Sequence, residues 1–177
     1  MRQGDAIDML AGSGVATLGP TKWADLGCGD GTFTVALASV LAPGSSIHAM
    51  DRDRSVMRGI PSLHNDVQIT THVGDFTRGS WPFADLDGIL MANSLHYVEH
   101  QAAFIRGCER LMKANRRFLV VEYDSDEATR WVPFPVSRAT LTALFAREDK
   151  ASIAFLRSRR SVYRRVPLYS ALITYTG

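Results

Sequence analysis

The sequence predicts a doubly wound α/β fold with helices on both faces of a mostly parallel sheet. Three observations predict it. Short apolar runs alternate with stretches of helical periodicity along most of the 177 residues, the signature of strands joined by right-handed crossovers. A glycine-rich loop, Asp25-Leu26-Gly27-Cys28-Gly29-Asp30-Gly31, separates the first apolar run from the first helical stretch. The chain then closes on two strand-like segments in succession instead of one more crossover.

Residues 5–18 read as a leading helix that ends at Gly19-Pro20. Residues 23–26 form the first strand. Phe33, Ala36, Leu37, Val40 and Leu41 fall at i, i+3, i+4, i+7 and i+8, one face of a helix. Pro43-Gly44 stops that helix. Residues 46–50 form a second strand that delivers Asp51 at its C-terminal end. A helix is expected over 53–62, shortened by Pro61, with Val56, Ile60 and Leu63 inward. Residues 67–73 are a third strand, and Gly74-Asp75-Phe76 follows directly.

Residues 87–91 are a fourth, largely apolar strand, as a sheet covered on both faces requires. Phe104, Cys108, Leu111 and Met112 mark the next helix, with His100 at the surface or as its cap. Residues 118–121 form the fifth strand, which ends in Glu122-Tyr123. Another helix starts from Ser137 as N-cap, with Leu141, Leu144 and Phe145 as its apolar stripe. Residues 152–175 read as two strands joined by an Arg-rich turn.

Composition bounds the function classes. The length suits a single domain over 1–177. Two cysteines, Cys28 and Cys108, are too few for a disulfide framework or a zinc site. Asp8, Gly12 and Gly14 interrupt the apolar N-terminus, so neither a signal peptide nor a membrane span is expected and a cytoplasmic location follows by default. The net charge of +2 says little about partners or oligomeric state. Arg157, Arg159, Arg160, Arg164 and Arg165, with Tyr163 among them, could hold nucleic acid. A solvated strand edge is the favoured reading of that run.

The chemistry concentrates at the glycine loop. Glycine lets the backbone turn tightly and lets a ligand approach closely. A helix starting near Gly31 would aim free N–H groups at an anionic ligand group. Asp51, twenty residues past the last glycine, stands where a carboxylate accepts from ribose hydroxyls. These features point to an adenosine-containing cofactor. The spacing is G-x-G-x-G, however, and not the G-x-G-x-x-G of dinucleotide folds.

Asp25, Gly27, Gly29 and Gly31 together resemble motif I of the class I S-adenosylmethionine-dependent methyltransferases, small-molecule type. The resemblance covers nearly the whole chain. It implies a Rossmann-like seven-stranded sheet whose last strand inserts antiparallel, as a hairpin with the sixth. It implies S-adenosylmethionine as cofactor, S-adenosylhomocysteine as product, and no metal. Cofactor binding would fall to Asp25, Gly27, Cys28, Gly29, Gly31, Asp51, Arg52, Asp75, Phe76 and Asn93. Asp75 would accept from the adenine amino group, Phe76 would pack near the ring, and an Asx-type turn is the rival reading of Asp75. Asn93-Ser94-Leu95-His96-Tyr97 resembles the family's Asn-x-Leu-His-His segment, with Tyr97 in place of the second histidine. His96 is then the candidate general base or a pocket-shaping residue. Tyr97, Tyr123 and Trp131 are the candidate contacts to a small-molecule acceptor. Where the family has Pro-Gly-Gly before the fifth strand, this chain has Ala114-Asn115-Arg116, and a left-handed Asn115 would preserve that turn.

A nicotinamide-dependent reductase is the enzymatic rival, and in its short-chain class it needs Tyr-x-x-x-Lys. Gln101, Glu127, Pro167 and Ile173 stand four residues after Tyr97, Tyr123, Tyr163 and Tyr169. A non-catalytic S-adenosylmethionine-binding partner is the other alternative, since intact binding positions do not separate catalyst from sensor.

Overall fold

A computed structural model describes residues 1–146, 151–160 and 166–175. Its elements are α1 (Gln3–Leu10), β1 (Lys22–Leu26), α2 (Thr32–Val40), β2 (Ser46–Asp51), β3 (Leu63–His64), β4 (Val67–Val73), β5 (Leu86–Ala92), α3 (Gln101–Glu109), β6 (Met112–Tyr123), α4 (Arg138–Phe145), β7 (Ala151–Arg160) and β8 (Pro167–Tyr175). The strands form one sheet in the order β3-β4-β2-β1-β5-β6-β8-β7. Pairing from β4 through β6 is parallel, while β8 lies antiparallel to β6 and β7 antiparallel to β8. The chain moves outward from β1 to β2 and β4, then returns past β1 to β5 and β6. Strand order thus reverses between β1 and β5, where such sheets hold their ligands.

Successive β1 residues alternate between two cores. Ala24 and Leu26 join Phe104, Cys108, Leu141 and Phe145 on the face carrying α3 and α4. Trp23 joins Ala6, Leu10, Phe33 and Leu37 on the face carrying α1 and α2. Ser137 caps α4 as expected, accepting from the backbone N–H of Thr140 at 3.1 Å.

The structure corrects several expectations. Among the described residues the sheet has eight strands, because the two-residue β3 pairs antiparallel with β4 through the turn at Asn65 and Asp66, both left-handed. The leading helix stops at Leu10, since Gly12 and Gly14 take positive φ, and only a 3₁₀ turn at Val15–Leu18 follows. No α-helix spans 53–62; a 3₁₀ turn at Val56–Gly59 replaces it. Asp53 competes with helix there, accepting from the Ser55 N–H and hydroxyl at 2.8 and 2.6 Å. Val56 and Leu63 face outward, 40% and 58% exposed, and Ile60 alone of the expected three is partly buried. α3 ends at Glu109, so Leu111 and Met112 lie beyond it and Met112 opens β6. Ala114, Asn115 and Arg116 are strand residues of β6, and Asn115 is not left-handed. The slack is taken up by a register shift, in which Leu86 faces Met112 but Gly88 faces Arg117.

The basic hairpin runs along the sheet edge. Arg157, Arg159 and Arg160 on β7 are exposed, and Arg159 pairs with Asp5 of α1. Tyr163, Arg164 and Arg165 lie outside the described residues.

Candidate active site

Backbone hydrogen bonds carry the strand ends into the loops above them. Gly27 and Cys28 both donate to the Met50 carbonyl, at 2.8 and 3.0 Å. Gly74 donates to Asp51 O at 2.9 Å, and Asn93 to Val121 O at 2.7 Å. Across the reversal point, the buried Ser94 hydroxyl donates to Leu26 O at 2.6 Å. The loops after β1, β4 and β5 are therefore each pinned to the end of a neighbouring strand.

The three motif glycines do different work, although all have positive φ. A Cβ at Gly27 would lie 2.6 Å from Ser94 Cβ, and one at Gly31 would lie 2.5 Å from Ile60 Cγ1. Those two positions serve close protein packing. A Cβ at Gly29 would meet nothing within 4 Å, so Gly29 is the position left open for a ligand. At the start of α2 one of the expected free N–H groups is taken, because the Thr32 N–H donates to Asp30 Oδ1 at 3.0 Å.

Above this loop lies a cleft of about 450 Å³, within the usual ligand-site range of roughly 300–1,000 Å³. Of the residues expected to bind cofactor, Gly27, Gly29, Asp51, Arg52, Asp75, Phe76 and Asn93 line it. Asp25, Cys28 and Gly31 do not; they sit beneath or behind the loop. Asp53, Val56, Thr77 and Ser94 line the cleft without having been anticipated, and Tyr97 joins them. A recurring Asp-x-Ser/Thr pattern could have found two of these. Asp30, Asp53 and Asp75 each accept from the N–H and hydroxyl two residues on. Those hydroxyls hold the three carboxyls below the usual carboxylate range. For Asp75 the Asx turn and cleft lining therefore coexist.

Asp51 couples the loop to β2. Its Oδ2 accepts from Gly29 N at 2.9 Å and its Oδ1 from Asp53 N at 3.0 Å. An ionised carboxylate accepts about four hydrogen bonds, so both oxygens keep capacity for ligand hydroxyls. Asn93 stands in the left-handed region at φ 54°, with its buried Oδ1 lacking any hydrogen-bond partner. A buried unpaired amide oxygen is costly, and a ligand donor would relieve it.

Asp25 has a different part. It is buried, with Oδ2 accepting from Thr34 Oγ1 at 2.6 Å and Oδ1 unpaired. Burial pushes its carboxyl up to about 7; the Thr34 bond opposes the rise and the Asp51 charge adds to it. The folded chain then holds this proton more tightly than the unfolded chain, where the carboxyl titrates near 3.8. Stability is expected to fall as pH rises from about 4 to about 7, and to level off above that. In Asp25→Asn this contribution disappears. Melting curves across that range check it, and an undiminished slope in the variant would refute the assignment. Cys28 is buried, and burial first and then the charges of Asp25 and Asp51 push its thiol up, a setting that suits a small filler.

A second cavity, about 530 Å³, adjoins the cleft and shares Asn93 and Tyr97 with it. His96, Tyr123 and Trp131 complete the expected acceptor set there, together with Thr129 and Val132. The loop above β6 that supplies Trp131 turns back through a Thr129–Val132 bridge and ties to the Phe134 N–H···O His96 bond at 3.0 Å. His96 is buried, and its Nδ1 lies 2.7 Å from Glu122 Oε2. Glu122 was legible only as the end of its strand. His100 is exposed at the N-cap of α3 and lines a larger, open hollow of about 790 Å³ beyond Tyr97.

Among the described residues no cluster of three or more His, Cys, Asp or Glu is placed to hold a metal ion, and no helix is long and apolar enough to cross a membrane. No curated protein matches the chain in sequence. Solved structures do match in fold. EvdMO1 is 22% identical, with a TM-score of 0.67 over 97% of this chain, which spans 41% of that protein. Magnesium protoporphyrin IX methyltransferase from Synechocystis PCC 6803, solved with bound SAM, is 16% identical, with a TM-score of 0.68 over 98% of this chain and 79% of its own. A SAM-dependent methyltransferase from Archaeoglobus fulgidus is 14% identical, with a TM-score of 0.72 over 99% of this chain and 95% of its own. The family model described as a methyltransferase domain matches residues 24–115, the stretch running from the glycine loop into β6. With that match and this topology, the chain belongs to the methyltransferase-domain family, the class I S-adenosylmethionine-dependent methyltransferases.

Proposed function

We propose that the chain moves a methyl group from S-adenosylmethionine in the 450 Å³ cleft to a small molecule in the adjoining 530 Å³ cavity. The observation that carries this reading is the charge of the cleft at the reversal point. Among the described residues, Asp51, Asp53 and Asp75 line it against one guanidinium, Arg52. Three carboxylates favour a ligand bearing sulfonium and ammonium groups and repel a pyrophosphate, so a nicotinamide dinucleotide is disfavoured by the same residues.

The remaining residues fit that donor. Asp51 offers carboxylate oxygens to ribose hydroxyls, Phe76 and Asp75 flank the expected adenine, and Asn93 offers its unpaired oxygen. The bound donor supplies an activated methyl group. The protein's task is to align the acceptor for in-line displacement and keep water out, which can contribute several kcal/mol. Asn93 and Tyr97 line both cavities and so stand where the two reactants would meet. Tyr123 and Trp131 offer flat faces to the acceptor.

Titration calorimetry tests the donor assignment. The purified chain is expected to bind S-adenosylhomocysteine and not NADH; uptake of NADH with no response to S-adenosylhomocysteine would overturn it. Trp131 is 72% exposed, so Trp131→Ala is expected to leave that binding and the melting temperature unchanged.

A further inference from the structure

The acceptor cavity has a chemical character of its own. Among the described residues no Lys, Arg, Asp or Glu lines it, and His96 is the one ionisable nitrogen base there, beside Tyr97, Tyr123 and Trp131. An ammonium, carboxylate or phosphate placed there would lose water without meeting an opposite charge, which is costly. The ligand that suits such walls is a flat, uncharged one.

Behind the cavity, Glu122 is 0% and His96 2% exposed. Both Glu122 oxygens serve that one residue: Oε2 lies 2.7 Å from Nδ1, and Oε1 accepts from the His96 backbone N–H at 3.2 Å. An ionised carboxylate only accepts, so Nδ1 carries the hydrogen, and in the neutral imidazole Nε2 keeps its lone pair. Other ionisable groups are grouped around the pair. Tyr97 of the same turn lies tilted against the imidazole, 4.4 Å between ring centroids at 52°, and Tyr123 comes from β6. Tyr169 of β8 pairs in register with Glu122 and donates to Val136 O at 2.8 Å. The Tyr169 phenol is pushed up by burial first, then by the charges of Glu122 and Asp124, with Arg138 opposing.

Resting on the function proposed above, we infer that the acceptor is a hydroxyl on a flat, uncharged aromatic body, that His96 Nε2 takes its proton, and that Glu122 is the positioning residue that holds Nε2 free. As the hydroxyl oxygen forms its bond to the methyl carbon, the C–S bond of the donor breaks and its electron pair stays on sulfur. The hydroxyl proton passes to Nε2. A neutral thioether, a methyl ether and an imidazolium result, and the imidazolium proton leaves to solvent. An acceptor already ionised needs none of this help, and that difference is the test.

The probes are 2-naphthol and 2-naphthalenethiol at pH 8, where the thiol ionises unaided. His96→Gln is expected to slow methylation of the naphthol by about 100-fold or more and that of the thiol less than threefold. Glu122→Gln keeps an acceptor for Nδ1–H but turns an amide toward the backbone N–H. It is expected to lower kcat for the naphthol with little change in KM, and Glu122→Leu more so. Independently of turnover, ¹⁵N spectra of the imidazole with S-adenosylhomocysteine bound should show the His96 hydrogen on Nδ1, a preference lost in Glu122→Leu. Equal losses on both probes, or the hydrogen on Nε2 in the wild type, would overturn the base. Methylation of neither probe by a chain that binds S-adenosylhomocysteine would overturn the acceptor class and leave the donor site standing. Failure to bind S-adenosylhomocysteine at all would remove the underlying function as well.

Discussion

Asp51→Ala is expected to weaken S-adenosylhomocysteine binding by roughly 100-fold or more while the domain stays folded. The size follows from what the carboxylate does. It would accept from ligand hydroxyls with charge-assisted bonds, each contributing about 1.5–3 kcal/mol, and it already fixes Gly29 N and Asp53 N from opposite oxygens. Truncation therefore removes ligand contacts and loosens the loop together. Asp51→Asn keeps one acceptor and should lose less. Gly29→Val should match the alanine variant by a different route. Its side chain would project into the open cleft, where nothing lies within 4 Å, and at φ 53° it adds a strain of about 1–2 kcal/mol. Its melting temperature should drop modestly as its affinity collapses. Calorimetry paired with thermal melts checks both variants, and an unchanged Kd in Asp51→Ala would defeat the site.

The second large effect concerns the sheet under the site. Gly88→Ala is expected to destabilise the fold by about 3 kcal/mol or more, at the upper end of overpacking costs. Gly88 faces Trp23 across the β1–β5 pairing, and a Cβ there would fall 2.4 Å from two indole ring carbons. Trp23 cannot yield. It is fully buried, and its Nε1 donates to Thr21 Oγ1 at 3.0 Å. Trp23→Leu should cost stability alone yet recover part of the loss in the Gly88→Ala background, a coupling that direct contact predicts. Denaturant unfolding of the two single variants and the double variant measures it; strict additivity, or a wild-type midpoint for Gly88→Ala, would refute the packing account.

Legibility followed the range of the forces involved. Parallel strands buried on both faces write themselves as apolar runs, so the central sheet was readable, as was Ser137 with its local cap. Asp51 could be placed at the cleft because a strand end is a sequential property, whereas Asp75 and Asn93, which also line it, were pointed to by the resemblance to the methyltransferases. The segment 53–62 misled because its apolar residues suit a helix, while Asp53 and Ser55 satisfy each other locally and break one. Asn115 misled because the accommodation was made elsewhere, in the register shift facing Leu86 and Gly88. Glu122 and Gly88 were hidden for a common reason. Their meaning lies in a partner 26 or 65 positions distant, His96 for one and Trp23 for the other, and no local pattern announces such a meeting.

The tight reversal at Thr129–Val132 has an evolutionary reading. On the proposed function, donor recognition is rooted in strand ends laced to one another, whereas Trp131 rides on a short outlying finger, closed by the Thr129–Val132 bridge and joined at its base through the Phe134 N–H to His96 O. Shuffling residues 126–132 should thus retune which compounds are modified without disturbing the grip on the methyl source, making this finger the natural place to begin a directed-evolution library.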